Sequence, residues 1–129
     1  MGVWAHGNFD NDTALDWLDA ITGQLLDEIA EVMESPELLE ADELDADLVP
    51  CRIELLCAMA EKGMPPRWPD VQLLAQWKQI FLQAWDGSID ELEPSPDYKR
   101  ERRATLVATF DRMLALAHLA DDESEVEED

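Results

Sequence analysis

Carboxylates are the main chemical resource of this sequence, with 31 Asp plus Glu against 9 Lys plus Arg and a formal net charge of -22. Paired carboxylates can act as acid and base in hydrolysis, but at this abundance pairing selects no particular two of them. His6 and His118 are the only histidines. Neither follows a Glu by three residues nor lies four from the other, so neither the Glu-x-x-His bundle motif nor the His-Glu-x-x-His zinc helix is present. Asp10-Asn11-Asp12 and Asp45-Ala46-Asp47 begin like calcium loops, but both lack the oxygen ligand at the fifth position and the turn glycine at the sixth. No Gly-rich phosphate loop occurs, and no Ser, Thr or Cys sits in a local motif that would supply it with a base. The reading is a non-enzymatic protein with no catalytic residue, metal site or cofactor.

The placement of charge is more informative than its amount. No Lys or Arg occurs from Met1 to Cys51, whereas fourteen carboxylates lie between Asp10 and Asp47. Ordinary salt-bridged helices interleave the two signs. Asp16, Asp19, Asp27, Glu31, Glu34, Glu37, Glu40, Asp42, Glu43 and Asp45 are therefore expected to form an acidic surface that receives a partner. Phosphate binders gain affinity when Lys and Arg clusters release counterions, so direct binding to nucleic acid or an anionic membrane is disfavoured. The expected partner is a basic protein surface, such as that of a toxin or nucleic-acid-binding protein, masked in the way immunity proteins mask nucleases. One alternative is a structural or homodimeric cytosolic protein, self-associating through spare Trp and Leu on helix three, with charge serving solubility only. Another is a nucleic-acid mimic.

Lys99, Arg100, Arg102 and Arg103 gather four of the nine cations where helix four should start. Cations there oppose the helix dipole, so they should answer another demand: Glu91, Glu93, the acidic first half or the tail. Cys51 and Cys57, six apart on a helix, point in different directions and read as reduced core thiols. With no basic and apolar leader and no apolar run of membrane length, the chain reads as cytoplasmic.

The elements that position these groups are helical. At 129 residues and 47% apolar the chain suits one domain, here residues 1–120, with 121–129 as a disordered acidic tail. Asp10, Asn11 and Asp12 are candidate caps for helix one, whose Leu18, Ile21, Leu25, Ile29 and Val32 or Met33 recur at helical spacing. Ser35-Pro36 opens a short turn, and the stretch from Glu37 to Asp47 is expected to be half ordered. Helix two should begin near Asp45 or Asp47, hold Pro50 in its first turn and stop at Gly63. Asp70 caps helix three, which carries Leu74, Trp77, Phe81 and Trp85 to a stop at Gly87. Ser95-Pro96 starts helix four. The fold class is thus all-α: a compact bundle of four main helices plus one or two short ones, behind an ordered N-terminal loop.

The opening Met1-Gly2-x-Trp4, then Gly7-x-Phe9-x-Asn11-Asp12-x-Ala14-x-Asp16-Trp17, resembles the start of a bacterial family known as domain of unknown function 4259. The resemblance continues through Glu54 and Gly63 into helix three and spans most of residues 1 to 118. The acidic tail and the Pro66-Arg67-Trp68-Pro69 connector look peculiar to this member. The family has no established activity, so the resemblance implies a fold and a bacterial setting and no catalytic residues. Its signature reads physically as structural: Gly2 and Gly7 admit close backbone, Trp4 and Phe9 bury, Asn11 or Asp12 caps a helix that brings Trp17 inward, and Glu54 faces inward as a latch toward Arg52, Arg112 or the backbone N–H groups of the Gly-rich opening.

Overall fold

The computed structural model describes residues 6–127, with side chains described to Asp122. The elements are α1 (Asp12–Met33), a 3-10 turn η1 (Pro36–Leu39), α2 (Leu44–Glu61), α3 (Val71–Ser88), a second 3-10 turn η2 (Ile89–Leu92) and α4 (Pro96–Glu127). The fold is all-α, four main helices with two short ones, as the periodicity predicts. α4 packs on both α2 and α3, while η1 is seated against α1, α2 and α3. The core joins Ile29 and Met33 of α1 to Leu39, Ile53, Leu56, Leu74, Phe81, Leu106 and Phe110. Phe81 and Phe110 meet at a centroid distance of 5.3 Å and a 45° tilt, a favourable aromatic arrangement at the α3–α4 contact.

The helix ends follow local chemistry. Asn11 is extended at φ -154° and its Oδ1 accepts from the Ala14 N–H at 2.8 Å, satisfying an orphan donor of α1. Asp70 does the same for α3, accepting from Gln72 N–H at 2.7 Å. At the end of α2, Gly63 takes φ +86°, Met64 N–H donates to Met59 O at 2.8 Å and Gly63 N–H to Ala60 O at 3.1 Å. These two bonds are a Schellman closure, which needs a left-handed residue where Gly63 stands.

Three features differ from the sequence reading. α2 starts at Leu44, so Pro50 lies inside the helix rather than in its first turn. There it denies Ala46 its usual backbone donor. α3 passes through Gly87 to Ser88 and runs directly into η2, and the left-handed residue is Glu93, at φ 51°. The segment expected to be half ordered is built: Leu39 is fully buried, Glu43 N–H donates to Glu40 O at 2.8 Å, and Ala41 N–H donates to Ser88 Oγ at 2.8 Å. The last helix, α4, is described to Glu127.

The N-terminal signature is only partly structural. Gly2 and Trp4 lie outside the described residues. At Gly7 the Asp10 carboxylate accepts from the glycine N–H at 3.0 Å and fills the space where a Cβ would stand. Phe9 is half-buried, not a core plug. Trp17 is 60% exposed, so α1 turns it outward, not inward as expected. Glu54 is also exposed, and its anticipated arginine donors are engaged elsewhere: Arg52 with Glu28 and Asp45, Arg112 with Glu61. The latch reading of Glu54 is therefore replaced by a solvent-facing carboxylate. Of the two thiols expected in the core, Cys57 is buried and Cys51 is exposed, and both are free.

Candidate acidic interface

The outer stripe of α1 carries the candidate surface. Positions 16, 20, 24, 27, 31 and 34 are all exposed and follow three- and four-residue spacing, which places Asp16, Asp27, Glu31 and Glu34 along one line. At 1.5 Å per residue this line is about 27 Å long. Trp17 stands on its flank, a large exposed aromatic beside the carboxylates. Beyond the helix, Glu37, Asp42, Glu43 and Asp47 are exposed and Glu40 and Asp45 half-buried, so the surface continues around η1 to the first turn of α2.

Three of the fourteen front carboxylates find cations. Arg52 Nε donates to Glu28 Oε2 at 2.8 Å and its NH1 lies 3.6 Å from Asp45; Arg67 approaches Asp19 at 2.9 Å. The other eleven make no ion pair among the described residues. The basic start of α4 does not serve them, nor Glu91 and Glu93 as expected. Lys99 pairs with Asp90 at 2.7 Å, Arg100 with Asp97 at 2.8 Å, and Arg103 grips Asp86 through two bonds of 2.9 Å. Apart from Arg100, every paired cation joins two different segments: α2 to α1, connector to α1, α3 to α4, α4 to η2, α4 to α3 and α4 to α2. The few cations thus staple the bundle, and the front surface keeps its charge.

That charge works against the helix carrying it. The last turn of α1 contains no basic residue, and Glu31 and Glu34 stand where the backbone carbonyls already present a negative pole. Each such placement costs roughly 0.3–1 kcal/mol at low salt. Two charges about 10 Å apart add repulsion of about 0.4 kcal/mol in water, before screening.

Two hydrogen bonds from Arg112 hold the Glu61 carboxyl below its usual range, partly opposed by desolvation and reinforced by the guanidinium charge. Burial pushes the Cys57 thiol up to about 11, Arg112 pulling the other way and Glu61 and Glu54 adding to the rise. A thiol so raised is a poor nucleophile at neutral pH. His6 and His118 are exposed, and among the described residues no three His, Cys, Asp or Glu side chains converge in a metal-holding group. No described helix is long and apolar enough to cross a membrane.

Ser88 is the residue that sequence reasoning missed. Its hydroxyl accepts from Ala41 N–H at 2.8 Å and donates to Ala84 O at 2.7 Å, tying the acidic loop to the end of α3. The partners are 47 residues apart, and no local pattern announces a bond of that separation.

These features define an all-α protein that presents a long, uncompensated carboxylate surface. The chain belongs to the family described as a domain of unknown function (DUF4259), whose model matches residues 2–128. The match runs past residue 118 and so includes the acidic C-terminal stretch that looked peculiar to this member. No curated protein and no solved structure matches the chain.

Proposed function

We propose that this protein is a non-enzymatic binding module whose acidic face docks on a basic protein surface and masks it, as an immunity-type inhibitor would. The observation that carries the reading is that eleven of the fourteen front carboxylates stand without a cation while seven of the nine cations are engaged in ion pairs. A surface built for solubility alone has no need to concentrate one sign at a helix end where it destabilises the helix. A docking surface does: complementary fields steer encounter, raising association rates by factors of 10 to about 10³, and repel other acidic proteins. Exposed Trp17 supports the same reading, since Trp is favoured as an anchor where a partner excludes water.

The test is capture from bacterial cytosol on immobilised protein at about 50 mM and about 300 mM salt, several-fold apart in ionic screening. A basic protein held at the lower salt, released at the higher, and absent from an Asp16→Lys/Asp27→Lys/Glu31→Lys variant is the expected result. Retention of the same protein by that variant excludes the α1 stripe. Light scattering at the two salts addresses self-association: a salt-insensitive dimer with no captured partner favours the homodimeric reading instead.

A further inference from the structure

A cavity of about 210 Å³ opens between the start of α2, the end of α3 and the start of α4, and none of its lining residues lies on α1. Its floor is the nearly buried pair Trp85 and Ile89, and its rim includes Leu92 and Tyr98, which are 49% and 54% exposed. Asp47 from α2 and Arg102 from α4 also line it. Among the described residues neither forms an ion pair. This is unusual for an arginine in a chain with more than three acids per base, where almost every other cation has been taken up. The wall between α3 and α4 is held in a strained form. Glu93 adopts φ 51° immediately before Pro94, and it is the sole non-glycine with positive φ among the described residues. A left-handed conformation costs a non-glycine residue about 1–2 kcal/mol, and strain of this kind persists where surrounding structure or function holds it.

An apolar floor with one free carboxylate and one free guanidinium on different helices has a defined complement. We infer that this cavity binds a small zwitterion bearing an apolar group, a free α-amino acid or a short peptide. The ligand's ammonium meets Asp47, its carboxylate meets Arg102, and its side chain lies on Trp85 and Ile89. Arginine suits this part because its planar fork matches a carboxylate. The cavity is smaller than the roughly 300–1,000 Å³ typical of drug-sized ligands, which sets the scale at one or two residues. Asp47 also belongs to the acidic surface, but the inference needs no basic partner protein and stands if the α1 stripe proves not to dock one.

The experiment is a ¹H–¹⁵N titration of the full chain with L-leucine, L-phenylalanine, N-acetyl-leucine, leucinamide and the dipeptide Leu-Leu. Saturable shifts at Asp47, Ile89, Tyr98 and Arg102 are expected with the zwitterions, and at least ten-fold weaker binding with each blocked form. Saturation by the dipeptide alone identifies a short peptide as the source, and saturation by the single residues identifies a free amino acid. Asp47→Asn should abolish discrimination against the acetylated form, and Arg102→Gln discrimination against the amide. Both positions lack a partner to lose, and unchanged far-UV dichroism verifies their folding. Absence of saturable shifts with any zwitterion, or equal binding of blocked and free forms, overturns the inference.

Discussion

Glu31 and Glu34 lie at the negative pole of α1 with no cation in that turn, so their removal should help the fold while harming its use. Glu31→Lys/Glu34→Lys is expected to stabilise the protein by about 0.5–2 kcal/mol at low salt, read by urea unfolding. A loss of stability would show that these carboxylates have partners in solution. Ser88 acts in the opposite sense. Ser88→Ala leaves the Ala41 N–H without its acceptor and should cost about 1–3 kcal/mol, loosening hydrogen-exchange protection in the acidic loop first. The thiols provide a third check: in the native state only Cys51 should react with a thiol reagent at neutral pH, because Cys57 is buried and raised to about 11. Asn11 and Asp70 were readable from sequence because a cap is a local event. Trp17 and Glu54 were not, because whether a residue on a half-apolar helix faces in or out depends on which neighbour the helix meets.

Between elements, the scarce cations are used as staples, and the one joining α2 to α4 has a pH signature. Glu61 is held below the ordinary carboxylate range by Arg112, so the pair contributes fully above the unfolded carboxylate pKa. Its contribution is lost as pH falls through the lowered folded value. The stability difference between the native chain and Glu61→Gln should therefore be present at neutral pH and vanish in acid, measured by urea unfolding across pH. A difference that persists unchanged in acid would place the effect elsewhere. Helix type and order followed from periodicity, and Gly63 ended α2 as its position predicts. Pro50 and Gly87 misled for one reason. Each is a local breaker that tertiary contacts overrode: Pro50 is itself buried in the core face of α2, and Ser88, one residue beyond Gly87, is pinned to the acidic loop.

For the whole molecule, the surplus of carboxylates was plain in composition, but its location was only half visible. Absence of Lys and Arg before Arg52 showed that the front segment could not neutralise itself. It could not show whether the arginines of α4 would fold back onto it, which is a matter of topology. Arg100, Arg103 and Arg112 pair instead with Asp97, Asp86 and Glu61, and Lys99 pairs with Asp90. The most direct measurement of the docking account is a titration of the captured basic protein against the native chain and the Asp16→Lys/Asp27→Lys/Glu31→Lys variant, at several salt concentrations. The account predicts association at least ten-fold slower for the variant, with a shallower dependence on salt and undiminished helicity. Equal rates and equal salt slopes for the two proteins would contradict it.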